Sequence, residues 1–176
     1  MSLFDDLKKG LYNRKVQQNE AANTTRQAMR FADAKNIGIL FVATLEENRK
    51  AALAYQQEVK KLKKKVTLLG YWDAKEIPAD LPFIAYGNQA IGWDKTPNAK
   101  KAPEVIEFIA QPFDLLIAYH LDECLPLEYI AGASQAKLRV APYRAETTAP
   151  YDFMIPAKNL PSFAHLLLSA LDKMNK

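Results

Sequence analysis

Cysteine and histidine are scarce in this chain of 176 residues, which contains one cysteine and two histidines. Because Cys124 stands alone, an internal disulfide and a multi-cysteine metal site are excluded, and a reducing compartment is expected. His120 and His165 lie too far apart in the chain to suggest a histidine-rich metal centre. The sequence therefore predicts no metal site.

Long apolar runs are also lacking. The longest, Ile37–Ala43 and Leu115–Tyr119, have the length of strands and fall far short of the roughly 20 residues that a membrane span needs. The segment Leu3–Leu11 contains charged side chains where a signal peptide would have an unbroken apolar core. We therefore expect a soluble, cytoplasmic protein and no integral membrane segment.

Glycine is missing where a phosphate-binding loop would need it. After the first strand of an open α/β sheet, glycines let backbone N–H groups approach a pyrophosphate. In this chain Thr44, Glu46 and Glu47 occupy that loop, and the two carboxylates would repel a phosphate. We therefore expect no nucleotide, flavin or nicotinamide cofactor in the usual binding mode. The six glycines stand at positions 10, 38, 70, 87, 92 and 132.

The net charge of +4 is unevenly distributed. Residues 1–65 carry 14 basic and 7 acidic side chains, whereas residues 66–176 carry 10 basic and 13 acidic ones. Apolar residues at steps of three and four in Leu3–Leu11 indicate an amphipathic helix. We therefore predict a basic helical extension over residues 1–35 and a single α/β domain over residues 36–176.

Strand-like and helix-like segments alternate through that domain. Ile37–Ala43 and Val66–Tyr71 are typical of buried strands, and the helix between them, which Thr44 is expected to cap in a capping box with Glu47, completes a βαβ unit. Further strands are expected at 113–119, 137–141 and 152–155, and further helices from Pro103, over 126–132 and after the capping residue Asn159. This pattern predicts a three-layer α-β-α sandwich of Rossmann or flavodoxin type, with a mainly parallel sheet of about five to six strands.

Two parts of the sheet are less regular. Pro82–Tyr86 and Gln89–Trp93 are predicted to form two short strands joined in a tight hairpin at Gly87 and Asn88. Between the last two strands only about ten residues intervene, too few for a helical crossover. That edge is therefore expected to be irregular or antiparallel.

The most reactive side chains follow the strand at 113–119. His120 is a candidate general base, Asp122 its orienting partner and Cys124 a candidate nucleophile. The alternative is a polar loop between a buried strand and the next helix, and we favour it. We accordingly expect a protein that is not an enzyme.

Ligand-binding candidates lie at two places. Open α/β sheets bind ligands beyond the carboxyl ends of their strands, so Thr44, Asn88 and Arg144 are expected to line a crevice with His120 and Asp122. Ser134 and Arg139 are a separate pair suited to a small anionic ligand, although a helix end that leads into a strand explains them equally well.

Two charged or amphipathic segments bear on partners. The lysine-rich segment Lys60–Lys65 carries charge suited to nucleic acid, but no aromatic residue is interleaved with it. We interpret it as the solvated end of a helix and expect no nucleic-acid partner. The segment Leu3–Leu11 is suited to peripheral membrane contact, although its small apolar face favours packing against the domain or a second subunit.

Two resemblances accompany these patterns. Phe113–Ile117, Ala131–Ala133 and Lys137–Val140 resemble a stretch of the N-terminal Rossmann-like domain of heptosyltransferase-type glycosyltransferases. Those enzymes use two such domains, so the resemblance implies a fold and no activity for a chain with room for one. From about Asn36 onward the chain resembles an uncharacterised bacterial family of single α/β domains, through the stretches IGILF, FDLLI and PLEYIAGASQAKLRV.

The absence of a phosphate loop and the basic extension together predict a function. We expect a non-catalytic or degenerate Rossmann/flavodoxin-like domain that binds a protein partner or itself. The first alternative is a small-molecule enzyme or sensor with its site at the crevice of the strand ends. The second is peripheral membrane attachment through the N-terminal helix.

Overall fold

The computed structural model describes residues 26–92, 96–145 and 150–173, together with Gly10 and Arg14. Within these ranges a six-stranded sheet runs through the protein, and every pair of neighbouring strands is parallel. The strands are β1 (Asn36–Val42), β2 (Lys65–Trp72), β3 (Ile84–Gly87), β4 (Leu115–Ala118), β5 (Leu138–Pro142) and β6 (Phe153–Ile155). The α-helices of these ranges are α1 (Glu46–Lys61), α2 (Pro103–Ala110), α3 (Leu125–Ala133) and α4 (Leu160–Lys173).

The helices cover both faces of the sheet. Tyr55 of α1 and Phe163 of α4 pack in one apolar core with Ile39 of β1. Phe108 of α2 and Leu127 of α3 belong to a second apolar core on the opposite face. The predicted three-layer α/β sandwich is therefore confirmed for the described residues.

The strands follow one another across the sheet in the order β3-β2-β1-β4-β5-β6. This is the order of Rossmann folds, whereas flavodoxin-like sheets run in the order 2-1-3-4-5. The chain thus reverses its direction of winding between β1 and β4. A ligand site in such a sheet is expected at the carboxyl ends of those two strands.

The central strand β1 is buried on both faces because its residues are apolar throughout. Successive side chains point to opposite faces, so Ile39 and Phe41 enter one core and Leu40 enters the other. At Gly38 a Cβ atom would lie 2.8 Å from Leu116 Cδ1. A side chain at this position would force the packed side chains of Leu116 and Phe113 to shift.

Three local expectations are wrong. The segment after β3 does not return as a hairpin, because Asn88–Ala90 forms a 3-10 turn and β3 pairs in parallel with β2. The last edge is neither irregular nor antiparallel, since β6 pairs in parallel with β5. Thr44 does not cap α1, which has Leu45 at its N-cap; the Thr44 hydroxyl instead accepts a hydrogen bond from the Asp73 backbone N–H at 2.8 Å.

The cap of the last helix is as expected. The Asn159 side-chain oxygen accepts the Ser162 backbone N–H at 2.9 Å, and the Ser162 hydroxyl lies 3.2 Å from the Asn159 backbone N–H. This reciprocal pair satisfies N–H groups that the first turn of a helix leaves without partners. It fixes the start of α4 beside the carboxyl end of β6.

The predicted N-terminal helix Leu3–Leu11 lies outside the described residues, except for Gly10. The continuously described chain begins at Arg26, whose guanidinium donates to the backbone carbonyls of Ala136 and Ser134. The Gln27 backbone N–H donates to the Lys137 carbonyl at 2.9 Å. Because these acceptors precede β5, the segment that enters the domain is attached at the amino ends of the strands.

One member of the lysine-rich segment is not merely solvated. The Lys64 ammonium donates to the backbone carbonyls of Phe31, Ala32 and Ala34 at 2.7, 3.1 and 2.7 Å. It also lies 4.9 Å from the centroid of the Phe31 ring. Lys64 therefore ties the segment before β1 to the loop that follows α1.

Candidate functional site

A cleft lies at the carboxyl ends of β1 to β4, where the strand order reverses. It consists of two adjoining pockets of about 400 and 490 Å³. The two pockets share Tyr71, Asp73, Glu123 and Cys124. We call the two pockets together the strand-end cleft; its further lining residues include Val42, Glu47, Asn48, Asn88, His120, Asp122 and Leu160.

A chain of hydrogen bonds fixes one wall of this cleft. The Tyr71 hydroxyl donates to the Asn88 side-chain oxygen at 2.5 Å, and the Asn88 amide nitrogen donates to an Asp73 carboxylate oxygen at 2.8 Å. The Asp73 backbone N–H in turn donates to the Thr44 hydroxyl. Thr44 and Asn88, both predicted ligand residues, are thus each bonded to Asp73; Asn88 lines the cleft, whereas Thr44 is not among its lining residues.

The loop after β1 is closed by an arginine instead of glycines. The Arg49 guanidinium donates to the carbonyls of Ala43 and Thr44 at 2.6 and 2.8 Å. Its central carbon lies 4.8 Å from the centroid of the Trp72 ring. Arg49 therefore satisfies the carbonyl groups of the loop after β1, at the position where Rossmann folds hold a phosphate.

His120 is the most buried polar side chain of the cleft, with 4% of its surface exposed. Its Nδ1 lies 2.9 Å from the backbone carbonyl oxygen of Asp122, and since a carbonyl only accepts, Nδ1 carries the proton. The orienting partner is thus the Asp122 backbone and not its carboxylate. Burial lowers the pKa of His120, so the ring is held neutral with Nε2 as an acceptor.

Nε2 of His120 is buried and has no hydrogen-bond partner among the described residues. In a protein interior such an atom is an exception, because a buried polar group without a partner costs free energy. His120 lines the cleft. One residue of the cleft wall therefore carries an acceptor that the described protein groups leave unused.

A buried ion pair lies behind the His120 loop. Arg144 Nη1 donates to Glu128 Oε1 at 2.8 Å, and the two side chains are only 11% and 2% exposed. The same Nη1 donates to the Asp122 carbonyl at 3.0 Å. Arg144 therefore does not line the cleft but holds the loop from His120 to Asp122 in place from behind.

Sequence reasoning missed Glu128. It is the one acid in the apolar helix α3, and a charge surrounded by apolar residues is a signal that a buried partner exists. Tyr151 completes the cluster, since the Arg144 guanidinium lies 5.6 Å from its ring centroid. Glu128 Oε2, Arg144 Nε and Nη2 and the Tyr151 hydroxyl are all buried in this cluster, where Tyr151 interacts with both the carboxylate and the guanidinium.

Cys124 lies in the cleft but is not activated. Burial raises the pKa of its thiol to about 12, so the thiolate that attacks substrates is absent at neutral pH. The three residues His120, Asp122 and Cys124 all line the cleft. Their arrangement gives a neutral acceptor and a carboxylate, without a reactive nucleophile.

Ser134 and Arg139 lie away from the cleft. Arg139 Nε and Nη2 bind the Asp152 carboxylate at 3.1 and 2.8 Å, which is the paired contact that an anionic ligand would otherwise make. The Ser134 hydroxyl accepts the Ala136 backbone N–H at 3.2 Å. Asp152 is therefore the internal anion for which Arg139 is placed.

The described part of the chain has a further pocket away from the cleft. A pocket of about 670 Å³ lies beside β3 and the start of α2, away from the point where the strand order reverses. No group of three or more His, Cys, Asp or Glu side chains in the described ranges could hold a metal ion. Among the helices described here, none has the length and apolar character needed to cross a bilayer.

Comparison with known proteins gives a family. A family model with the description "Family of unknown function (DUF6913)" matches residues 7–173, which is nearly the whole chain. No curated protein and no solved structure matches. The matched family supports the predicted resemblance to an uncharacterised family of single α/β domains, and no finding supports the resemblance to glycosyltransferases. The chain belongs to the DUF6913 family.

Proposed function

We propose that this protein binds a small molecule in the strand-end cleft. The observation that carries the proposal is His120, a buried side chain at the cleft wall whose ring is oriented by the Asp122 carbonyl and whose Nε2 lacks a partner. The cleft occupies the position where open α/β sheets bind their ligands. The two pockets of the cleft, of about 400 and 490 Å³, lie within the range of roughly 300–1,000 Å³ that is typical of small-molecule sites.

A variant that fills the cleft tests this proposal. Asn48 lines the cleft from the first turn of α1, so we expect Asn48→Trp to block it. Two-dimensional amide NMR spectra would be recorded with four probes of different chemistry: 1,4-diaminobutane, succinate, 1,4-butanediol and ribose. We expect at least one probe to shift the amide signals of Asp73, Asp122 and Glu123, and Asn48→Trp to abolish the shifts.

The matched control is Gln57→Trp, on the exposed side of the same helix. It adds the same ring without entering the cleft, so it should leave the shifts unchanged. Shifts that persist in Asn48→Trp, or a complete lack of shifts at these three residues with all four probes, would contradict the proposal.

We propose a separate role, self-association, for the basic N-terminal extension. The supporting observation is where the extension joins the domain: Arg26 and Gln27 are bound to backbone groups at the amino end of β5, opposite the cleft. The two roles can therefore be tested independently.

Light scattering coupled to size-exclusion chromatography tests the role of the extension. We expect the full chain, of 19.8 kDa, to elute as a dimer or larger assembly. Deletion of residues 1–25 retains Arg26 and should leave a folded monomer. An equal number of chains per particle in the two proteins would rule out the extension as the interface.

A further inference from the structure

The charged side chains that line the strand-end cleft all have one sign. They are Glu47, Asp73, Asp122 and Glu123, and the described lining includes no lysine or arginine. Glu47, Asp73 and Asp122 form no ion pair with any basic side chain of the described residues. Carboxylates that line a concave surface give it a negative potential, which attracts cations.

The nearby arginines do not neutralise these acids. Arg49 is engaged with the carbonyls of Ala43 and Thr44 and with the face of Trp72. Arg144 is paired with Glu128 behind the His120 loop. Neither of these two arginines is therefore paired with a carboxylate of the described cleft lining.

The uncharged polar groups of the cleft point to the same ligand. His120 is neutral, and its unpartnered Nε2 is an acceptor because Nδ1 carries the proton. The Asn88 amide donates to Asp73, and the Tyr71 hydroxyl donates to Asn88. An anionic ligand would need donors, and these donors are already engaged, whereas a ligand that brings its own N–H groups finds acceptors.

We infer that the ligand of the strand-end cleft is an organic cation carrying at least one protonated amine. This inference rests on the proposed function, since it names the chemical class of the molecule bound there. The acids are not grouped for metal binding within the described residues, which favours a cation whose charge is carried on an extended molecule.

Titration of the full chain with charge-matched probes tests the inference. The probes are 1,4-diaminobutane, succinate and 1,4-butanediol, which share a four-carbon skeleton and differ in charge. At low salt and neutral pH we expect the diamine to shift the amide signals of Asp73, Asp122 and Glu123 in a saturable way. Succinate and butanediol should shift them little.

Two variants show whether the carboxylates are responsible. Asp73→Asn and Asp122→Asn keep the side-chain shape, and each should weaken diamine binding by about tenfold, the value of roughly one charge-assisted contact. Glu107→Gln, on the exposed side of α2 and outside the cleft, is the matched control and should leave binding unchanged.

The outcomes distinguish failure of the inference alone from failure of the proposed function. Saturable binding of succinate or butanediol at the same amides, without diamine binding, would overturn the cation and leave the cleft as a site. Equal weakening by Glu107→Gln would show general attraction to surface acids and would also overturn it. Lack of binding by every probe would overturn both.

Discussion

The Arg144→Met variant is expected to lose about 3–5 kcal/mol of its free energy of unfolding, because it leaves the buried carboxylate of Glu128 without its partner. The Glu128 side chain is 2% exposed and its Oε1 lies 2.8 Å from Arg144 Nη1. A carboxylate removed from water needs a compensating charge, and methionine retains the volume of the arginine stem without providing one. Urea denaturation followed by circular dichroism measures the loss.

The experiment needs two further variants: one replaces both members of the buried ion pair, and the other breaks an exposed ion pair. Replacing both members, Arg144→Met with Glu128→Leu, removes the buried unpaired charge. The double variant should therefore recover most of the free energy of unfolding that Arg144→Met loses. Arg30→Met breaks an ion pair with Asp33 whose side chains are both 52% exposed, and it should have no measurable effect. An Arg144→Met variant as stable as Arg30→Met would contradict the buried-pair interpretation.

The fold is also expected to lose stability as the pH falls below about 6.5, the ordinary pKa of histidine, because of His120. Burial is the largest cause of the lowered pKa of His120, and it outweighs the opposing effect of Glu128. In this window the unfolded chain takes up a proton at His120 that the folded chain does not. The free energy of unfolding therefore decreases with falling pH, by up to about 1.4 kcal/mol per pH unit.

His120→Gln removes this proton uptake while keeping a side-chain N–H that can donate to the Asp122 carbonyl. Urea titrations at pH 7.5, 6.5 and 5.5 should give a smaller decrease in stability for this variant than for the parent chain. His165 is exposed on α4 and is common to both proteins, so it cancels in the comparison. Parallel pH profiles would show that His120 is protonated as readily in the folded chain as in the unfolded one.

The central part of the fold is predictable because its signals are local. β1 and β2 are continuous apolar runs separated by an amphipathic helix, and the rules for a parallel βαβ unit then fix their pairing. The edges are not predictable in this way. β3 and β6 have four and three residues, and their direction depends on the neighbouring strand instead of on their own sequence.

Only part of the candidate site, likewise, could be predicted from the sequence. His120 and Asp122 could be found because polar residues that follow a buried strand lie at the ligand-binding end of a parallel sheet. The bond from His120 to the Asp122 backbone, and the position of Arg144 behind that loop, depend on Glu128 and on contacts between distant segments. Closeness in the sequence suggests that Arg139 acts with Ser134, whereas in the structure its partner is Asp152 on the neighbouring edge.

The short outer strands have a consequence for the behaviour of the protein in concentrated solution. An exposed strand edge offers N–H and C=O groups to which another chain can add, and long, flat edges promote aggregation. Here β6 contributes three residues and is followed at once by Pro156, whose nitrogen cannot donate a hydrogen bond. β3 ends after four residues in the 3-10 turn at Asn88. Edge strands this short offer a neighbouring molecule few backbone hydrogen bonds, so fibrillar growth from the edges of the sheet is disfavoured.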